Sequence, residues 1–166
     1  MTTVQQGSLT GWVNEAGRAG TVHVEDVYDT DIDDLWSAVT DPARLARWVA
    51  VVEGDLRPGG TFEARFTSTA EGPGRIEICD APHHLLLTMR PDTAEPAEIE
   101  AWLTSEGEGT RLAVEERGLP VDRAPDHAAG WQAHIEDLRA HLEGRPAASW
   151  PDRWSELISS YRPDGA

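Results

Sequence analysis

The residues best suited to chemistry are histidines and acidic residues in the C-terminal half of the chain. His127, His134 and His141 recur every seven residues, which on a helix sets neighbours about 10.5 Å apart along the axis. One metal ion cannot join two of them, because zinc–nitrogen bonds are about 2 Å long. His134 and Asp137 could share an ion, but two ligands make a weak site. We therefore expect no metal site, and solvated or flanking histidines.

Glu116 and His127 are the candidates for a polar ligand contact or for acid–base chemistry. Strand alternation in TRLAVEERGL (110–119) puts Glu116 on the face of the apolar residues that precede it. A buried carboxylate without a partner is costly, so either Glu116 meets an arginine, with Arg75 as the candidate, or the inward face ends before it. His127 lies one turn before Trp131 and could hydrogen-bond a ligand or act as a base, although we favour a capping or surface role.

The rest of the sequence lacks catalytic and cofactor motifs. Cys79 is the single cysteine and has no neighbouring nucleophile motif, so we interpret it as a buried structural residue. The stretch RPGG (57–60) lacks the lysine and serine of a phosphate-binding loop and is typical of a turn. We expect no cofactor.

The acidic composition restricts the classes of partner. The 166 residues include 14 Lys and Arg against 30 Asp and Glu, a net charge of −16, which disfavours nucleic acid and anionic membranes. No stretch approaches the roughly 20 apolar residues of a membrane span, and residues 1–12 lack the pattern of a signal peptide. We therefore expect a cytoplasmic protein that binds neither nucleic acid nor membrane. A protein partner or a homodimer stays open.

The N-terminal half predicts a strand followed by two short helices. TVHVEDVY (21–28) has the β-branched residues of a strand, and Thr30 or Asp31 can cap the helix that follows. Pro42 ends this helix. Asp41 can then cap a second short helix, with Pro42 at its first position, which finishes on the apolar pair Trp48 and Val49.

The remainder predicts an antiparallel sheet and a long helix. Short turns separate six further strand patterns. From Asp126, an apolar stripe at helical spacing runs to Leu142 and Gly144 can end the helix. Pro146 begins a linker to a short final helix. We predict an α+β fold in which a curved antiparallel sheet of about six to seven strands surrounds the long helix, as one domain over 1–166 with its core at about 22–144 and a C-terminal extension at 145–166.

Five motifs stand out along the chain: TDPARLARWV, DLRPGGTF, GRIEICDAPHHLLLTM, GTRLAVEERGL and HAAGWQAHIEDLRAHL. In this order they resemble the motifs of the SRPBCC (START-like) helix-grip superfamily. Within it, the greatest resemblance is to the bacterial homologues of the ATPase activator of the ninety-kilodalton heat-shock protein. The resemblance covers about 22–144, and the tail is similar to that of an uncharacterised bacterial subgroup.

The resemblance implies a helix-grip fold but does not settle the function, because this superfamily includes lipid carriers, cyclases, receptors and cochaperones. Many relatives have a tryptophan where Met89 stands and an acid one residue after Glu77, where this chain has Ile78. If these positions line a cavity, the cavity here is less polar and differently shaped.

An apolar cavity between the sheet and the long helix is the expected ligand site. Alternation turns Phe62 and Phe66 toward this space, the helical stripe turns Trp131 toward it, and Trp48 closes one end. The alternative is that these residues fill a packed core. The ligand contacts that we predict are Trp48, Phe62, Phe66, Ile76, Leu87, Met89, Glu116, His127, Trp131 and Ile135.

We therefore expect non-covalent binding of a small, mostly apolar molecule. Two alternatives stay open. The first is an enzyme of the polyketide cyclase or aromatase kind, in which the cavity folds a substrate and one acid or histidine moves protons. The second is a cochaperone-like interaction module with exposed Trp12, Trp150 and Trp154 as aromatic anchors.

Overall fold

The computed structural model describes residues 1–162 and shows one antiparallel sheet with a long helix packed against it. The strand order is β1-β2-β3-β9-β8-β7-β6-β5-β4, so the chain leaves one half of the sheet after β3, starts the other at its far edge and returns strand by strand. The strands are β1 (Thr2–Gln6), β2 (Leu9–Asn14), β3 (Gly20–Tyr28), β4 (Ala50–Gly54), β5 (Thr61–Phe66), β6 (Glu71–Asp80), β7 (His84–Met89), β8 (Ala97–Glu106) and β9 (Gly109–Leu119).

The sheet has nine strands in the described residues, so the prediction of six to seven was too low. All seven strand patterns of the sequence form strands, β3 to β9, and the additional hairpin is β1–β2. The sequence patterns that indicate this hairpin are short. A Gly-Ser turn, with Gly7 at φ +59°, joins the two strands, and Leu9, Gly11 and Val13 alternate toward the core.

Two short helices, α1 (Ile32–Thr40) and α2 (Pro42–Trp48), cross from β3 to β4. Asp31 caps α1 by accepting a hydrogen bond from the Asp34 amide at 2.8 Å. Asp41 adopts an extended conformation, and its carboxylate accepts from the Arg44 amide at 3.1 Å, with Pro42 in the first turn. The predicted break between the helices is confirmed. It brings Trp48 into the core, where its indole N–H donates to the Ala38 carbonyl at 2.9 Å.

The long helix α3 (Ala124–Leu142) follows a short 3₁₀ turn (Val121–Arg123) and packs on β2 and β3. It begins two residues earlier than the apolar stripe indicated, with Pro125 in its first turn. Gly144, at φ +70°, follows its end. The residues of α3 that meet the sheet are mostly alanines, which let the helix approach closely.

The C-terminal helix α4 (Trp150–Tyr161) packs against α3. Leu157 and Tyr161 are buried, and the Tyr161 hydroxyl donates to Gln132 Oε1 at 2.7 Å. Arg153 lies 2.6 Å from Glu136 of α3 and also reaches Gln6 of β1 at 3.0 Å. These contacts hold α4 in place along α3. No helix within residues 1–162 is both long and apolar enough to traverse a lipid bilayer.

The packing of α4 predicts that Leu157→Ala lowers the free energy of unfolding by about 2–5 kcal/mol, the usual cost of a large-to-small change in a core. Ser159→Ala, on the exposed side of the same helix, should change it by less than about 0.5 kcal/mol. Urea denaturation followed by tryptophan fluorescence measures both. Equal effects of the two substitutions would mean that α4 does not stay packed in solution.

Candidate functional site

An inner chamber of about 130 Å³ lies between the sheet and the helices α1, α2 and α3. Its wall is almost entirely apolar. Apart from the indole groups of Trp48 and Trp131, the polar side chains on it are Thr40 and Cys79. The Thr40 hydroxyl donates to the Trp36 carbonyl at 2.7 Å, and burial and the charge of Asp80 raise the pKa of the Cys79 thiol. Seven predicted site residues lie on this wall: Trp48, Phe62, Phe66, Ile76, Leu87, Met89 and Trp131.

The pattern of β5 explains how the aromatic part of this wall forms. Phe62 and Phe66 alternate with exposed residues and face the chamber. Phe62 lies across from Gly74 of β6, where any Cβ would overlap the phenyl ring. Gly74 therefore makes room for the ring on the inner face of the sheet.

A bulge in β6 turns Ile78 away from the chamber. The pairing of β6 with β7 shifts between Ile76 and Ile78, so Ile76 faces the chamber while Ile78 is exposed on the other face. Met89 lines the chamber. Of the two positions at which the resemblance implied a difference from relatives, only Met89 therefore belongs to the cavity wall, and Ile78 has no effect on its polarity.

An outer chamber of about 430 Å³ adjoins the inner one and opens beside α3 and α4. Its wall is more polar, and Glu116, His127 and His134 line it together with Trp150 and Trp154 of α4. Four residues line both chambers and form the partition between them: Phe66, Met89, Ile99 and Trp131.

Glu116 faces inward from β9 and is 6% exposed. Its Oε1 accepts a hydrogen bond from the Trp131 indole at 3.0 Å and lies 2.9 Å from His127 Nδ1. The inward orientation agrees with strand alternation, but the arginine partner proposed from sequence was wrong. Arg75 pairs with Glu77 on the outer face, at 2.5 Å. His127 is a half-exposed partner of Glu116 at the wall of the outer chamber.

His134 is buried, 4% exposed, and not solvated as its spacing suggested. Three aromatic rings surround its imidazole: Trp131 edge-on with centroids 5.6 Å apart, Trp150 at 5.5 Å and Phe66 at 6.4 Å. Burial lowers its pKa to about 4, although the nearby Trp48 backbone and the charge of Glu116 oppose this shift. The ring is therefore neutral at pH 7.

The other predicted residues of α3 lie elsewhere. Ile135 is fully buried but lines neither chamber, so its assignment to the ligand site does not agree with the geometry. The helix rests on β3 at this point, where the Tyr28 hydroxyl donates to the Ile135 carbonyl at 3.0 Å. His141 accepts a hydrogen bond from Arg44 Nε at 3.1 Å, away from the chambers. Residues 1–162 contain no group of three or more His, Cys, Asp or Glu placed to hold a metal ion.

Sequence reasoning missed His134 and the two tryptophans of α4 as parts of the site. His134 stands three residues after Trp131, so it falls on the same side of α3. Trp150 and Trp154 recur at helical spacing in the tail, and their indole groups donate to the carbonyls of Gly130 at 3.4 Å and Asp126 at 3.0 Å. A helix of the tail that docks along α3 therefore completes the outer chamber.

The buried imidazole predicts a dependence of stability on pH. The pKa of His134 is about 4 in the folded state and about 6.5 in an unfolded chain. The unfolded state therefore takes up the proton first, and stability falls as the pH drops from about 6.5 to about 4. Between pH 7 and pH 5 this one group should cost about 2 kcal/mol.

A comparison of His134→Phe with the unaltered protein by urea denaturation at pH 7 and pH 5 isolates this contribution. The variant should lose about 2 kcal/mol less than the unaltered protein between the two pH values. Burial raises the pKa of Asp137 to about 6, so this carboxyl stabilises the folded state at low pH and its stabilisation is lost as the pH rises from about 4 to about 6. This effect is opposite in sign to that of His134, and it cancels in the comparison because both proteins contain Asp137. The same pH dependence in both proteins would exclude a buried neutral His134.

Known structures resemble this chain over nearly its full length. CalU16 from Micromonospora echinospora is 26% identical in its crystal structure, with 98% of each chain covered and a TM-score of 0.77. BPP1335 from Bordetella parapertussis is 23% identical, covering 98% of this chain and 94% of that one, with a TM-score of 0.73.

A third structure, DynU16 from the dynemicin biosynthetic locus, is 24% identical over 76% of this chain and 49% of its own, with a TM-score of 0.69. No curated protein matches the sequence.

The family model described as "Activator of Hsp90 ATPase homolog 1-like protein" matches residues 29–143. That span reaches from the end of β3 to the end of α3 and includes Trp48, Glu116, Trp131 and His134, while α4 lies outside it. The chain therefore belongs to the family of Activator of Hsp90 ATPase homolog 1-like proteins.

Proposed function

We propose that this protein binds a small, mostly apolar molecule non-covalently between the sheet and α3. The observation that supports this most directly is the apolar inner chamber next to a larger, more polar one. Small-molecule sites are concave, mostly apolar and carry a few polar groups, with volumes of about 300–1,000 Å³. The outer chamber, at about 430 Å³, falls in this range, and the inner chamber extends it.

The hydrogen bonding of the wall favours an apolar occupant for the inner chamber. The wall holds two indole N–H groups, and both are already bonded within the protein: Trp48 to the Ala38 carbonyl and Trp131 to Glu116. A polar ligand group placed there would lose its water and find few partners, because Thr40 and Cys79 are the only other polar side chains of the wall. The apolar end of a ligand therefore fits the inner chamber, and any polar end fits the outer one.

The relatives agree with this proposal. CalU16 matches this chain over nearly all of both lengths, and DynU16 comes from a biosynthetic locus, which is a setting where small molecules are made. This favours a small-molecule ligand but does not identify it.

A cavity-filling substitution tests the proposal. Ala101 of β8 lines the inner chamber, so Ala101→Leu should fill it and abolish binding of 2-methylnaphthalene, a small apolar probe, without lowering the thermal midpoint. Thr104→Leu places the same side chain at an exposed position of the same strand and should leave binding unchanged. Isothermal titration calorimetry and thermal denaturation measure both quantities. Equal affinities of the two variants, or no binding by the unaltered protein, would contradict the inner chamber as a ligand site.

Proton-transfer catalysis is the second candidate, and the Glu116–His127 pair favours it. A carboxylate and an imidazole 2.9 Å apart line the outer chamber, so they could exchange a proton and act as acid and base toward a substrate that enters the site. This arrangement fits an enzyme of the cyclase or aromatase kind, in which the shape of the apolar chamber would set the fold of the substrate.

Glu116→Gln distinguishes a carrier from an enzyme. Native mass spectrometry of the protein from its own host identifies a retained molecule, and incubation of this molecule with fresh protein shows whether it is converted. For a carrier, the substitution should leave its affinity largely unchanged and no conversion should occur with either protein. For an enzyme, the unaltered protein should convert it and Glu116→Gln should slow the conversion by about 10²–10⁴-fold, the usual contribution of a general acid or base.

The interaction-module hypothesis loses its main support, because the three tryptophans named for it are all engaged within the described residues. Trp12 stacks on His23 with centroids 5.0 Å apart and parallel planes. Trp150 and Trp154 stack on each other at 6.5 Å and line the outer chamber. None is an exposed anchor.

A further inference from the structure

His134 has a polar atom that the proposed binding of an apolar molecule leaves unused. Its Nδ1 is buried and has no hydrogen-bond partner in the described residues, which is uncommon for a buried polar atom. The residue lines the outer chamber, whereas the indole N–H groups of Trp131 and Trp48 are both bonded within the protein.

The imidazole can meet a ligand hydroxyl in either of its neutral forms. In a neutral imidazole one nitrogen donates and the other accepts. A hydroxyl can itself donate or accept, so it can bond to Nδ1 with or without a proton on that nitrogen.

The surroundings of Nδ1 restrict the chemical group that can bond to it. The rings of Phe66, Trp131 and Trp150 lie within 6.4 Å of the imidazole, centroid to centroid. A charged group would lose its hydration among them, whereas a neutral hydroxyl attached to a planar ring could hydrogen-bond Nδ1 while its ring meets the aromatic side chains edge-on or offset-stacked. Phe66 and Trp131 also line the inner chamber, so such a ring can extend into it.

We infer that the ligand is a hydroxylated aromatic molecule whose hydroxyl forms a hydrogen bond with Nδ1 of His134 and whose apolar part extends past Trp131 into the inner chamber. This inference rests on the proposed small-molecule function and adds to it the class of ligand and the residue that selects it. His134 is a specificity-determining residue, and Trp150 supplies one wall of its pocket from a helix outside the family match.

The test compares 2-naphthol with 2-methylnaphthalene, a pair that differs by a hydroxyl in place of a methyl group. Affinities for the unaltered protein, His134→Phe and His134→Gln are measured by calorimetry at pH 7, with thermal denaturation as the control for folding. The quantity of interest is the ratio of the affinity for 2-naphthol to that for 2-methylnaphthalene. In His134→Phe this ratio should be about tenfold lower than in the unaltered protein, since one hydrogen bond is lost. His134→Gln, which keeps a hydrogen-bonding group, should lie between the two and remains informative if the phenylalanine variant does not fold.

The outcomes separate this inference from the proposed function. If 2-methylnaphthalene binds all three proteins and the ratio stays the same, the apolar site stands and the role of His134 is overturned, which is also the result expected if Nδ1 only binds a water molecule. Glu116→Gln is measured in the same way as a fourth protein. A ratio that falls in it but not in His134→Phe would assign the hydroxyl to Glu116 and overturn the inference. If neither compound binds the unaltered protein, the proposed function fails as well.

Discussion

The burial of the Glu116 carboxylate is the constraint on which the arrangement of the site depends. A carboxylate inside a protein must be hydrogen-bonded, and both donor groups that meet it, His127 and the Trp131 indole, come from α3. These two residues lie one turn apart on α3. Their contacts with one oxygen therefore fix the helix both in rotation and in position along β9.

The position of α3 in turn sets the division of the cavity. Trp131 is held between the chambers because its N–H is bonded to Glu116. His134, three residues on, then lies on the outer chamber, while Ile135 turns toward β3, where α3 meets the sheet directly. One hydrogen-bonded carboxylate thus separates an apolar space from a polar one. This separation is the basis for proposing a ligand with an apolar body and a polar end.

The tail completes the site through packing. Tyr161 and Leu157 anchor α4 in the core, and Arg153 ties it to α3 and β1. As a result Trp150 and Trp154 stand on the wall of the outer chamber, and His134 is shielded from water on the side of α4. The residues that line the inner chamber all lie within the matched family region. The wall of the outer chamber also includes residues of α4, which lies beyond that region.

Local patterns in the amino-acid sequence were sufficient to predict most elements, because caps, turns and alternation act over a few residues. Asp41 and Pro42 predicted the break before α2, and the pattern of β5 predicted which face carries Phe62. The same reasoning placed Glu116 inward. It did not find the β1–β2 hairpin, whose strands are short, or the bulge that turns Ile78 outward. Only the tertiary structure decided the partner of Glu116, the burial of His134 and the position of Ile135. Each of these depends on how α3 docks on the sheet and how α4 docks along α3, and both helices are distant in sequence from the first strands of the sheet.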